Sequence, residues 1–259
     1  MLQELYAGSL SDAAIREQQI SLDEIEKLAL NRAKPLSAVA RFRESNTVGV
    51  IAEIKRASPS KGLMAEIADP TALAKTYELS GASAISVLTE GRKFLGSLGD
   101  FREVRESVSI PLLRKDFLAS EYQILEARAY GADIVLLIVA GLSAERLRVL
   151  YSLAQDLEMS VLVETHSKAE VDLAIGIGAD LIGVNARDLD TFETNRGLFA
   201  ELIDLIPKDV IKVAESAVRD LSDVREYANA GADMVLVGEA LVKGEAAKLI
   251  EEFSSVPRV

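Results

Sequence analysis

Eight short apolar runs at intervals of roughly 25 residues, a Gly-Ala dipeptide that recurs about every 50 residues, and capped helical segments between the runs together predict an α/β fold. The fold expected is a single (β/α)8 TIM barrel with an N-terminal helical extension, divided into extension 1–46 and catalytic barrel 47–259. The apolar runs are VGVIAEI (48–54), SAISVL (83–88), IPLLRKD (110–116), DIVLLIV (133–139), SVLVET (160–165), DLIGVN (180–185), VIKVAES (210–216) and DMVLVG (233–238). They are continuous rather than alternating in hydrophobicity, as strands buried on both faces are. Between them the helices carry punctuation. Asp69-Pro70 offers an N-cap followed by proline at the first helical position, and Gly81 closes that helix. Ser120 with Gln123 and Ser167 with Glu170 have capping-box spacing, and Gly131 and Gly231 stand where a helix ends in the left-handed region. Strand and helix alternating eight times implies parallel pairing through right-handed crossovers, and 259 residues suit one closed barrel. Ahead of the first strand, SLDEIEKLALNRAKPLS holds another capping box, Ser21 with Glu24. This extension is expected to cover one barrel end, or to reach the mouth and help enclose a ligand.

Composition narrows the function. Apolar residues make up 49% and charged residues 27%, enough core for a folded chain. A net charge of −12 argues against nucleic acid or an anionic membrane as partner. Without cysteine there is no disulfide, thiolate metal site or cysteine nucleophile, and one histidine, His166, makes a multi-histidine metal site improbable. No apolar run approaches the roughly 20 residues of a membrane span, and the first residues lack the apolar core of a signal peptide. A cytoplasmic enzyme or binding protein for a small molecule is expected, with no metal and no cofactor.

In such a barrel the chemistry gathers at the C-terminal ends of the strands. Those ends carry Glu53 and Lys55, Lys115, Glu164, Asn185 with Arg187, Glu215-Ser216, and Gly238. Glu53 and Lys55 are two residues apart and leave the same face of their strand, as do Asn185 and Arg187 if the strand continues that far. Any one of these charges could be half of a structural ion pair. As a set they point to one site, because buried unpaired charge is costly. After the eighth strand, GEALVKGEAAKL (238–249) matches a phosphate cradle at a short helix, with the backbone amides of Gly238 and Glu239 facing the anion and Ser216-Ala217 on its second side. The first loop, KRASPSKG (55–62), suits closure over an anionic ligand, although it also reads as a solvated basic loop. Lys55, Lys61, Lys115 and Arg187 could supply local positive charge within an acidic chain.

From about residue 20 to the C-terminus the sequence closely resembles the indole-3-glycerol phosphate synthase family. The resemblance rests on IAEIKRASPSKG (51–62), SVLTEGRKFLGS (86–97), PLLRKDF (111–117), LVET (162–165), GVNARDL (183–189), AES (214–216) and LVG (236–238). It implies ring closure of 1-(2-carboxyphenylamino)-1-deoxyribulose 5-phosphate to indole-3-glycerol phosphate with loss of CO2 and water. It also implies a catalytic set of Glu53, Lys55, Lys115, Glu164, Asn185 and Ser216. Lys115 would be the general acid, its proton affinity lowered by desolvation near other cations. Glu164 and Glu53 would be the candidate carboxylates, with Lys55 a second acid or a counter-charge to the substrate carboxylate. Asn185 would hydrogen-bond substrate hydroxyls and the catalytic carboxylate. Substrate contacts would come from Ser58, Phe94, Phe117, Leu136, Arg187, Ala217, Gly238 and Glu239. The expected partner is a small phosphosugar, with neither nucleic acid nor membrane, and the expected state is a monomer, with a weak dimer as the alternative.

Two positions depart from the family pattern. Ser216-Ala217 stands where the family usually has Ser-Gly, at a cost of about 1 kcal/mol if that residue needs positive φ. The Glu239 carboxylate, so close to a phosphate, must point away from it. His166, two residues beyond Glu164, reads as a surface histidine. The competing readings are a phosphoribosylanthranilate isomerase, which would need the missing cysteine, a Schiff-base aldolase using Lys115, and a non-catalytic phosphosugar-binding paralogue of the same barrel.

Overall fold

The computed structural model describes residues 1–188 and 191–259. Leu189, the last residue of the GVNARDL motif, therefore lies outside the described residues. Eight parallel strands close into a barrel: β1 (Gly49–Ile54), β2 (Ala84–Leu88), β3 (Leu112–Lys115), β4 (Ile134–Ile138), β5 (Ser160–Thr165), β6 (Leu181–Asn185), β7 (Ile211–Glu215) and β8 (Met234–Val237). Each pairs with its sequence neighbours, and β8 pairs with β1 through Gly49–Met234 and Ala52–Val237. Every strand lies inside one of the eight predicted apolar runs. A further antiparallel ribbon, Ala57–Ser58 with Gly62–Leu63, forms in the first loop.

The helices begin where their caps place them. Asp69 accepts from the amides of Thr71 and Ala72, and Ser21 and Ser120 form complete capping boxes with Glu24 and Gln123. Gly81, Gly131, Gly178 and Gly231 all have φ between 80° and 98°, which returns each helix into the next strand without a Cβ penalty.

Alternate strand residues face inward and outward. Ile51, Leu113, Leu162, Leu181, Val213 and Leu236 fill the barrel interior, while Val50, Val87, Val135, Val163, Ile182 and Val235 pack against the helices outside. The same alternation brings Glu53, Lys115, Glu164 and Glu215 into the interior at the C-terminal ends of β1, β3, β5 and β7. Four side chains from alternate strands form one layer of such a barrel. Here the uppermost layer is charged.

The N-terminal extension folds as α1 (Leu2–Glu17), α2 (Leu22–Asn31) and α3 (Ala38–Arg43). It covers both barrel ends rather than one. Leu2, Leu5 and Tyr6 of α1 join the interior cluster beside Phe117 at the catalytic end, and Ala38, Val39 and Phe42 of α3 close the opposite end. Between them α2 lies along the outer helix Glu121–Ala129.

Candidate active site

A cavity of about 570 Å³ opens at the C-terminal ends of the strands, a volume suited to a small ligand. All fourteen residues singled out from the sequence line it: Glu53, Lys55, Ser58, Phe94, Lys115, Phe117, Leu136, Glu164, Asn185, Arg187, Ser216, Ala217, Gly238 and Glu239. At its floor Lys115 Nζ lies 3.0 Å from Glu164 Oε2 and 3.8 Å from Glu215 Oε2. Asn185 Nδ2 donates to Glu164 Oε1 at 3.0 Å, and Ser216 Oγ donates to Asn185 Oδ1 at 2.7 Å. The Arg187 amide also donates to Asn185 Oδ1, which fixes the orientation of the side-chain amide. Lys55 pairs with Glu53 beside Gly238, so each amine stands against a carboxylate.

This crowding reverses one expectation. Burial alone would lower the proton affinity of Lys115, but Glu164, Glu215 and Glu53 outweigh it and raise its pKa above that of an ordinary lysine. The neighbouring groups are anions, not the cations expected from the sequence. For Glu164, burial pushes the carboxyl pKa up, while Lys115, His166 and Asn185 bring it down well below the usual range. Burial and the charge on Glu164 push Glu215 the other way, so of these two facing acids Glu215 is the one whose proton is held more tightly.

Around this floor the walls divide by chemistry. Phe94 and Phe117, with centroids 5.9 Å apart, form an apolar wall with Leu136 and with Leu5 of α1. On the opposite rim Lys61, in the first loop, reaches across to both carboxylate oxygens of Glu239 at 2.6 Å, and Lys243 reaches one at 2.9 Å. Burial pushes Glu239 up, but the two lysines hold its pKa at about 2. Its carboxylate is thus turned to Lys61 of the loop. Ser216 and Ala217 both have positive φ, 68° and 61°.

Four contributors were not included in the site read from the sequence. Glu215 was visible as a charged strand end, and its parity with Glu53 and Glu164 on alternate strands was the available signal. Leu5 and Tyr6 were signalled only by apolar spacing at Leu2, Leu5 and Tyr6, which predicts a helix but not its destination. His166 is not a surface residue: its side chain is 14% exposed and lies 3.4 Å from Glu164. It follows directly on β5 and lies between the carboxylates of Glu164 and Glu170.

Two amines paired with carboxylates at the mouth of a parallel barrel define an acid–base enzyme of the (β/α)8 class. A family model for indole-3-glycerol phosphate synthase matches residues 2–253. An indole-3-glycerol phosphate synthase of Leifsonia xyli subsp. xyli is 53% identical over 256 residues, covering 99% of this chain and 98% of the relative. Those of Beutenbergia cavernae and Mycolicibacterium smegmatis are each 52% identical over 242 residues, covering 93% of this chain and 90% and 89% of theirs. The chain belongs to the indole-3-glycerol phosphate synthase family, and through it to the decarboxylating carbon–carbon lyases of tryptophan biosynthesis. The similarity begins at residue 2 rather than near residue 20 and so takes in α1. Among solved structures, thiamine phosphate pyrophosphorylase from Pyrococcus furiosus shares the fold at TM-score 0.59 and 17% identity, covering 80% of this chain and 94% of that one. N-acetylmannosamine-6-phosphate 2-epimerase from Clostridium perfringens does so at TM-score 0.59 and 13% identity, covering 75% and 88%. Among the described residues no helix is long and apolar enough to cross a membrane.

Proposed function

We propose that the chain converts 1-(2-carboxyphenylamino)-1-deoxyribulose 5-phosphate to indole-3-glycerol phosphate, CO2 and water, with Lys115 as general acid and Glu164 as general base. The observation that carries this reading is the placement of Lys115 Nζ between Glu164 and Glu215 on the cavity floor. Ring closure begins when the aromatic carbon bearing the carboxylate attacks the ketone, so the ketone oxygen must gain a proton as it becomes an alcohol. The ammonium of Lys115 remains loaded with that proton at neutral pH. A developing alkoxide is a far stronger base than an amine, so transfer is downhill despite the raised proton affinity of Lys115. Loss of CO2 then restores the aromatic ring. Dehydration removes a proton from the new five-membered ring and expels the hydroxyl as water. Glu164, ionised and aimed by Asn185, accepts the first, and Lys55, paired with Glu53, serves the second.

Phe94, Phe117 and Leu136 hold the anthranilate ring, and Arg187 meets the substrate carboxylate or hydroxyls. Ser58, Ser216, Ala217, Gly238 and the Glu239 amide hold the phosphate. In this reading residues 1–46 form a cover and 47–259 the catalytic barrel. The enzyme works as a cytoplasmic monomer on a small phosphosugar, and no cofactor is required.

Appearance of indole fluorescence on mixing with substrate tests this directly, because a chain without tryptophan has no indole background of its own. Lys115→Met should abolish turnover while substrate affinity stays within about tenfold, ~1.4 kcal/mol. Binding and rate weakened equally would reduce Lys115 to a charge anchor. Binding by the unaltered chain without product would favour a non-catalytic paralogue.

A further inference from the structure

His166 has no part in the chemistry derived above, yet it is the chain's single histidine and stands directly behind the carboxylate assigned as base. Its Nε2 lies 3.4 Å from Glu164 Oε1 and its Nδ1 lies 3.4 Å from Glu170 Oε2. Nε2 is buried without a hydrogen-bond partner, so its contact with Glu164 is one of charge. Glu170 is turned to this task by a departure from its capping role. In a complete capping box it would accept from the amide of Ser167, the N-cap of the helix Lys168–Gly176. Instead Glu170 Oε2 accepts from the His166 amide at 2.8 Å and stands beside the ring.

We propose that His166 is a positioning residue for Glu164: held between the Glu170 and Glu164 carboxylates, its ring supplies a second positive charge that keeps Glu164 ionised and turned toward Lys115 and Asn185. The two flanking carboxylates favour a charged ring. A neutral imidazole would set a nitrogen lone pair 3.4 Å from a carboxylate oxygen at one end or the other, whereas the imidazolium places positive charge beside both. Burial works against that charge, but Glu170 and Glu164 outweigh it and raise the ring's pKa above its ordinary value. The other groups facing the pair are Lys115 on β3, which opposes the charge on His166, Glu215 on β7 and the Tyr6 hydroxyl on α1.

The need for a second cation follows from the proposed chemistry, on which this inference rests. Once Lys115 has given its proton to the ketone oxygen it is a neutral amine, and Glu164 has lost its nearest counter-charge. His166 remains beside it as a cation and keeps Glu164 an anion for the dehydration step.

The test combines nuclear magnetic resonance with kinetics. One histidine gives one set of ring C–H signals, so its titration can be followed without assignment. In the unaltered enzyme His166 should titrate above its ordinary value, and Glu170→Gln and Glu164→Gln should each lower that pKa by about one pH unit. The kcat of the unaltered enzyme should fall on the alkaline side with an inflection at the pKa read from the ring. Glu170→Gln should move this inflection down by the same interval. His166→Gln should remove it and lower kcat about tenfold, with KM within about twofold. A ring pKa indifferent to both glutamate substitutions overturns the proposal, and so does a His166→Gln profile that retains wild-type rate and shape. If His166→Gln fails to fold, the Glu170→Gln inflection decides. Glu164→Gln separates the two readings. Retained turnover in that variant removes the base assignment, whereas lost turnover beside an unaffected His166→Gln profile removes only the role of His166.

Discussion

Ser216 and Ala217 occupy the left-handed region one after the other, φ 68° and 61°, where a side chain costs about 1–2 kcal/mol per residue. The strain is held in place by the Ser216 hydroxyl on Asn185 and lies in the cavity lining with Gly238 and Glu239. Ala217→Gly should therefore raise stability by about 1 kcal/mol in urea denaturation, glycine's extra chain entropy taking back part of the gain. Because the backbone already adopts the required conformation, KM should change less than about twofold. Glu215 offers a second test. Its folded pKa is raised, so its contribution to stability is full below the unfolded carboxyl value and is lost as pH rises toward the folded one. Glu215→Gln does not titrate. Its urea midpoint should match that of the unaltered chain near pH 4 and pull ahead as pH rises, by up to about 1.4 kcal/mol per pH unit until the folded pKa is reached. Equal midpoints at pH 8 would mean that Glu215 is ionised in the folded enzyme at little cost.

Helix α1 shows how an element far from the motifs takes part in the site. Tyr6 stacks edge-on to Phe117 at 5.6 Å, its hydroxyl reaches the Ile138 carbonyl at 3.4 Å, and Leu5 lines the cavity. Polar anchors hold the helix down. Arg16 forks onto Glu126 at 2.6 and 2.8 Å, and Ser9 donates to Asp116 at 3.0 Å. Both acids also pair with Arg114, fully buried on the outward parity of β3, so α1 is tied to the residues flanking Lys115 and Phe117. Tyr6→Ala should cost about 3 kcal/mol of stability, as buried aromatic truncations do. It should also raise KM about fivefold, ~1 kcal/mol, by loosening the apolar wall. Lost stability with an unchanged KM would make α1 a plain cover.

In the barrel as a whole, the start of the first strand meets the C-terminal segment. Val48 donates to the Val256 carbonyl at 2.8 Å, Arg258 donates to the Asn46 carbonyl at 3.0 Å, and Thr47 bridges Pro257. The Arg258 guanidinium binds the carbonyls of Phe42 and Ser45 and pairs with Asp233 ahead of β8. It joins the extension, the first strand and the last at the end remote from chemistry. Arg258→Ala should cost about 2 kcal/mol, a Tm drop on the order of 5 °C, and leave KM unaltered. A changed KM would show that the two barrel ends communicate.

The barrel was legible before any coordinates because its signals are local. Continuous apolar runs, Ser120 and Asp69 as caps, and Gly131 as a turn each depend on residues within a few positions. The gathering of Glu53, Lys115 and Glu164 at one mouth followed from their places at the C-terminal ends of strands. Which amine meets which acid did not. Lys115 reaches Glu164 and Glu215 only when the strands close with one particular stagger, and the resulting ring of acidic groups is what raises rather than lowers its proton affinity. His166 looked exposed because the residue just past a strand usually is, and Glu170 looked like a cap because its spacing fits one. Their pairing depends on where the ring and the first helical turn lie in space, and no spacing along the chain encodes that. Local periodicity specifies elements through short-range sterics, whereas charge interactions act through space between residues that closure alone makes neighbours.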